Sequence, residues 1–326
     1  MTKKRYLKIF QTTEEYNSTK DEVLDYPYVA LLEDKDDVVF GEEEDYSKEY
    51  FTIEVLEDGE MGFCIGTGSE AVDSLWYSVD EGENWNELER DAMISVSQGQ
   101  KVLWKQDYAT LNGYNNKVGS FKTTMPFNAY GNIMSLIYGD NFANKTSLEG
   151  YNSIFLGLFF TCTILQSAEN LILPATTLVD GCYSYMFNGC TSLTTALELS
   201  ATKLADSCYN GMFSNCTSLT KAPSILPATT LARGCYSSMF ANCTSLTEAP
   251  ELLATTLVDY CYSYMFNGCS KLIYIKMLAT DINASNCLNY WVSGVAEHGT
   301  FVKNKDATWD VTGASGIPED WTVENG

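Results

Sequence analysis

Between residues 50 and 135 apolar and polar positions alternate with a period of two, in short runs: Tyr50–Leu56, Ser74–Val79, Ala92–Val96 and Lys101–Trp104. Turn signals separate them at Glu57-Asp58-Gly59, Asp80-Glu81-Gly82 and Gln98-Gly99. Short strands at such spacing predict an antiparallel β-sandwich. Ahead of it, Arg5–Phe10 reads as a strand, Thr12 or Thr13 would cap a short helix through Glu14–Tyr16, and Tyr28–Leu32 with Val38–Phe40 reads as a hairpin. Further on the period changes. Cys182, Met186, Cys190 and Leu193 fall at i, i+4, i+8 and i+11, within one face of an α-helix. Asp180 and Asp206 stand where N-caps would, and Asn188-Gly189 where a helix would stop. Leu219–Leu226 is too short and proline-broken for a helix and suits a strand and a turn.

That helix-like segment recurs. Cys182, Cys208, Cys235, Cys261 and Cys287 are spaced 26, 27, 26 and 26 residues apart, and Cys190, Cys216, Cys243 and Cys269 follow the first four by eight. The text between them repeats as CYSYMFNGCTSL, CYNGMFSNCTSL, CYSSMFANCTSL and CYSYMFNGCSKL, with a decayed earlier copy around Cys162. A period near 26 means a solenoid, and this length lies in the leucine-rich-repeat range. Stacked units place each residue over its copy. The expected ladders are the eight cysteines just named, Met186/Met212/Met239/Met265 and Phe187/Phe213/Phe240/Phe266. Binding positions are then those that vary between units: Tyr185/Gly211/Ser238/Tyr264, and Val179/Ala205/Ala232/Val258 beside Asp180/Asp206/Arg233/Asp259. The fold expected is multidomain and β-rich: a small N-terminal α/β module over 1–46, a β-sandwich over 47–135, an α/β solenoid over 136–290 and a C-terminal cap over 291–326.

Charge sharpens the division. The 326 residues carry a formal net charge of −23, and residues 1–60 hold 18 acidic against seven basic residues. Residues 174–290 hold only seven and five, yet nine of the 11 cysteines lie between Cys182 and Cys287. A chain this acidic does not bind nucleic acid or anionic lipid through its overall field, and no apolar run is long enough for a membrane span. The start has a basic beginning but no apolar stretch of a secretory signal.

The candidate chemistry is thin. The single histidine, His298, excludes most histidine-based hydrolysis and zinc sites with two histidines. The C-x7-C spacing is not the tight pairing of a zinc site, and cysteine in apolar text is usually a buried core residue. Disulfides remain the alternative. Asp80, Glu81, Glu83, Glu87 and Glu89 lack calcium-loop order and read as a solvated hairpin tip. Glu198, Asp206, Glu248, Glu251 and Asp259 sit at non-equivalent places, so no carboxylate pair is marked for glycoside hydrolysis. No catalytic, cofactor or metal residue is expected. Trp76, Tyr77, Trp85 and Trp104 would either stack on sugars or fill the core, and Tyr185, Tyr264, Arg233 and Trp85 are the candidate ligand-binding residues.

Phe187-Asn-Gly-Cys-Thr-Ser-Leu193 and Phe266-Asn-Gly-Cys-Ser-Lys-Leu272 resemble the aromatic-x-Gly-Cys-x-x-Leu ending of the BspA-like leucine-rich-repeat family. Phe213-Ser-Asn-Cys and Phe240-Ala-Asn-Cys depart from it with Asn in place of Gly. The closing text, Ile275–Asp281, Phe301–Asn304 and Gly316–Val323, is similar to the end of many such proteins from gut Bacteroidales. The resemblance covers roughly 120–326 and implies a surface-binding role without catalysis. The N-terminal text is similar to a small module on Bacteroides-phage virion proteins, with Gly41–Asp45 as a linker or a solvated acidic loop.

The resulting expectation is a non-enzymatic, virion-associated structural or adhesion protein assembled in the bacterial host cytoplasm. Residues 1–46 would dock on other virion proteins, and the solenoid would bind a host-surface glycan or protein. A homo-oligomer is compatible with the sequence. The alternatives are a bacterial cell-surface adhesin of the same repeat family and, more remotely, a glycan depolymerase.

Overall fold

The alternating runs form strands. In a computed structural model of the chain, the described residues are 6–10, 28–32, 37–41, 49–64, 72–107 and 118–326. Two compact units result, Met1–Lys48 and Glu49–Gly326. In the first, β1 (Tyr6–Phe10) pairs parallel with β2 (Tyr28–Leu32), which pairs antiparallel with β3 (Asp37–Gly41). The helix expected at Glu14–Tyr16 lies outside the described residues.

The second unit begins with two antiparallel arrays. One holds β4 (Phe51–Val55), β6 (Ser74–Ser78), β7 (Asn86–Glu89), β9 (Lys101–Lys105) and β11 (Phe127–Asn132), in the order β11-β4-β9-β6-β7. The other holds β5 (Gly59–Cys64) between β8 (Met93–Val96) and β10 (Ser120–Thr123). They meet through aromatic rings, Phe121 lying 5.3 Å from Phe51 and 5.2 Å from Trp104. The larger sheet does not stop at residue 135. β12 (Leu165–Ser167) and β13 (Leu171–Ile172), from the first repeat-like text, pair parallel with β11. Phe159 then packs on Phe51, Phe121 and Phe127, so one core runs from the sheets into the repeats.

The repeats coil without α-helices, which corrects the α/β expectation for the solenoid. Among the described residues the one α-helix is α1 (Ser135–Tyr138), followed by a 3-10 turn at Gly139–Asn141. The segment from Gly181 to Cys190 is a ribbon of overlapping turns. Alternate amides bond three residues back: Cys182 to Val179, Ser184 to Gly181, Met186 to Tyr183, Asn188 to Tyr185. The amides between them donate to the next coil at 2.8–2.9 Å: Gly181 to Asp206, Tyr183 to Cys208, Tyr185 to Asn210, Phe187 to Met212, Gly189 to Ser214. Every fourth residue has a left-handed backbone, with φ of +61° at Gly181, +54° at Tyr185 and +77° at Gly189. An α-helix would satisfy all these amides internally; the ribbon leaves half of them to hold the neighbouring coil. Accordingly Asp180 and Asp206 cap no helix. Each accepts the amide of its copy in the next coil, Asp206 on Asp180 and Arg233 on Asp206, both at 3.1 Å.

On the other side of the coils, β14 (Ile225–Leu226), β15 (Glu251–Leu252), β16 (Tyr274–Met277), β17 (Thr300–Lys303) and β18 (Thr322–Asn325) form one parallel sheet in that order. This makes a β-solenoid of about 4 turns over residues 225–325, so the stretch read as a cap contributes two strands to the same sheet. No helix among the described residues is long and apolar enough to cross a membrane.

Inside, the period-four ribbon stacks like on like. Phe159, Phe187, Phe213, Phe240 and Phe266 form a column of rings 5.3–5.7 Å apart. Phe155, Tyr183, Tyr209, Tyr236 and Tyr262 form another at 5.7–6.1 Å. Met186, Met212, Met239 and Met265 are fully buried beside them. So are Cys182, Cys208, Cys235 and Cys261, and Cys190, Cys216, Cys243 and Cys269, all as free thiols. The second cysteine column donates S–H backwards, Cys216 to the Phe187 carbonyl and Cys243 to that of Phe213, both at 3.1 Å.

Candidate binding face

Because the ribbon turns by four residues, its left-handed corners all point away from the core. Stacking aligns them into columns: Ser153/Gly181/Ser207/Gly234/Tyr260/Asn286 is one, and Gly157/Tyr185/Gly211/Ser238/Tyr264/Tyr290 is the next. Small residues fill most corners, as the left-handed backbone favours. Tyrosines break that pattern. Tyr260, Tyr264 and Tyr290 are 36%, 40% and 50% exposed, with φ of +59°, +55° and +48°. Tyr264 and Tyr290 stack at 5.6 Å and 17°. The Arg233 guanidinium lies 5.0 Å over the Tyr260 ring. Arg233 with Tyr260, and Tyr264 with Tyr290, thus make two exposed pairs on neighbouring corner columns near the C-terminal end of the coils, with exposed Asp206 and Asp259 on either side of Arg233.

Tyr185 belongs to neither pair. Three coils separate it from Tyr264 in the same column, roughly 14 Å at the usual ~4.8 Å between strands. Its ring lies over Gly211, where a Cβ would come within 2.5 Å of it. Glycine at 211 therefore makes room for the ring, and Tyr185 stands alone. Tyr260 and Tyr290 were not among the residues singled out from sequence. The signal for both was present: Tyr290 follows Tyr264 by 26 residues, and Tyr260 follows Gly234 by 26.

Trp85, the fourth residue singled out, lies on the front sheets. Trp104 is buried and Tyr77 packs on it at 5.8 Å, so these two are core. Trp85 and Trp76 instead line a cleft of about 320 Å³ with Lys105, Gln106, Asp107 and Asp140. The Lys105 ammonium sits 4.0 Å over the Trp85 ring and 2.6 Å from Asp140. Tyr50 donates its hydroxyl to the same Asp140 oxygen at 2.8 Å and packs on Trp85 at 5.0 Å. Burial and that bond push the Tyr50 phenol up to about 12. At the β6–β7 tip, the Asp80 carboxylate accepts from Asn84 and Ser78, which holds it down at about 2. Its oxygens close the hairpin turn.

Burial disfavours the thiolate form throughout the thiol columns. It pushes Cys208, Cys216, Cys261 and Cys269 up to about 12 and raises Cys190, Cys235 and Cys243 well above their ordinary value, whereas the thiolate is the form that attacks or coordinates. Among the described residues no three side chains of His, Cys, Asp or Glu are grouped to hold a metal.

Comparison with known proteins finds no matching family model, no matching curated protein and no matching solved structure.

Proposed function

We propose that this chain is a non-catalytic recognition protein whose solenoid presents the Arg233–Tyr260–Tyr264–Tyr290 face to a host-surface glycan or protein. The exposed corner tyrosines carry the reading. A non-glycine residue in the left-handed region costs roughly 1–2 kcal/mol, and three tyrosines accept that cost with rings left substantially exposed. The Tyr264–Tyr290 stack offsets about 0.5–1.5 kcal/mol once. Serine, present at Ser238 in the same column, would occupy the corner without exposing a ring. The exposed rings are more than these corners require, and exposed tyrosine beside arginine is the composition of binding hot spots.

The finer assignments belong to the same proposal. The repeat is of the BspA-like leucine-rich-repeat type. Its aromatic-x-Gly/Asn-Cys ending has a physical meaning in the coils: a stacked ring, a left-handed corner, then an inward thiol, as at Phe187, Gly189 and Cys190. The virion is the setting the N-terminal text suggests, with residues 1–46 docking on other virion proteins. The separate first unit is compatible with that role. The test is adhesion. The triple variant Tyr260→Ser, Tyr264→Ser and Tyr290→Ser should keep its thermal melt and lose binding to host cells; adhesion at wild-type strength would remove this face from the site.

A further inference from the structure

The cleft on the front sheet is unrelated to the solenoid face and has its own logic. Strand β6 alternates Leu75 inward and Trp76 outward, so Trp76 is at the outer surface, 37% exposed. Trp85 forms the inner wall. Gly139 lies at the floor with φ +51° and ψ −132°, a conformation natural to glycine, and a Cβ there would press on Asp107 at 3.3 Å. That turn delivers Asp140 and Asn141 to the rim. Asp140 is neutralised in place: Lys105 and Tyr50 both donate to its Oδ1, leaving Oδ2 as an acceptor. Asp107 is itself partnered.

We propose that this cleft is a second binding site, for a neutral sugar ring. Four observations select that class. Lys105 cancels Asp140, and Asp107 leaves the lining one negative charge, so an anion is disfavoured. Lys105 already occupies the Trp85 face a ligand cation would take. Exposed Trp76 offers an apolar plane suited to the C–H face of a pyranose, while Asp140 and Asn141 on the rim suit its hydroxyls. The volume, about 320 Å³, lies at the lower end for small-molecule pockets and holds one or two sugar units.

The experiment uses the full chain on a printed array of neutral and anionic oligosaccharides, beside Trp76→Ala, Trp76→Phe and the triple tyrosine variant. Expected is binding to neutral glycans that falls by roughly tenfold or more in Trp76→Ala, or about 1.4 kcal/mol. Trp76→Phe should recover part of it, and on glycans too short to span both sites the fall caused by Trp76→Ala should be the same in the tyrosine-variant background. Because Trp76 is on the outer surface, its alanine variant should match the wild-type circular dichroism melt. Asn141→Ala, on an exposed turn, provides a second probe and should weaken the same glycans several-fold. No neutral glycan bound, binding indifferent to Trp76 and Asn141, or binding lost only in the tyrosine variant would each overturn the proposal. The last result would leave the solenoid face standing alone.

Discussion

Alkaline pH should unfold the solenoid through its thiols. The eight ladder cysteines are fully buried, and burial raises each above its ordinary value of 9.0. The folded state therefore holds its protons where the unfolded chain has lost them. Stability is fully present below the unfolded value near 9 and is lost as pH rises from there through the raised folded values, about 12 for Cys208 and Cys216. At about pH 10 an unfolded thiol with a value near 9 has gained about 1.4 kcal/mol by ionising. Eight of them withdraw about 11 kcal/mol, comparable with the whole stability of a typical domain, about 5–15 kcal/mol. This figure depends on the unfolded value and the pH, and not on how far burial raises the folded values. The buried Tyr183, Tyr209, Tyr236 and Tyr262 phenols, also raised by burial, add to the loss at higher pH. The assay follows far-ultraviolet circular dichroism and thiolate absorbance together, in reductant, from neutral pH upward. One cooperative step is expected between about pH 9.5 and 10.5, with thiolate appearing as structure disappears. More than three thiolates per chain, the number of cysteines outside the columns, developing near pH 9 on an intact dichroism spectrum would refute the reasoning. So would a fold that survives past about pH 11.

Two further substitutions probe the stacked columns. Phe213→Ala, between Phe187 and Phe240, should destabilise by about 3–5 kcal/mol in urea titration; a loss below about 1 kcal/mol would mean that the column is not packed as described. Tyr236→Phe should stabilise by about 1 kcal/mol, because the Tyr236 hydroxyl is buried without a hydrogen-bond partner. A loss of stability there would show that the hydroxyl is satisfied in solution.

The repeat period, the strand-rich front and the inward rows were legible because each follows from spacing alone. The local conformation was not. Cys182, Met186 and Cys190 recur every four residues. On an α-helix four residues turn about 400°, a drift of only about 40° per step, so a few steps still lie on one helical face. Periods of 3.6 and 4 cannot be told apart over one such segment. The discriminating signal lay in the outward residues: Gly181 and Gly189, Gly211 and Asn215, Gly234 and Asn242 recur at multiples of four, and an α-helix interior has no use for such residues. The cleft was illegible for another reason. Trp85 drew notice for its residue type, but its partners Lys105 and Asp140 are 20 and 55 residues away, and nothing in the alternation of strands reveals which outer-face residues a later turn will meet.

The ribbon separates what holds the coils from what they display. Inward positions are fixed by stacking, since a Phe, Met or Cys must match the copy above and below it. Corner positions are limited mainly by their left-handed backbone, which glycine, asparagine, serine and tyrosine all occupy here. Recognition can thus be altered coil by coil without disturbing the ladders. The second site proposed at the front cleft belongs to the same compact unit. If both proposed sites take the same long glycan, they would engage it at a high effective concentration, which can raise avidity by roughly 10²–10⁴ over either alone when the glycan spans both. Shallow sites of the kind proposed suit that mode, in which a polymer would be held by several modest contacts, each removable without unfolding the rest.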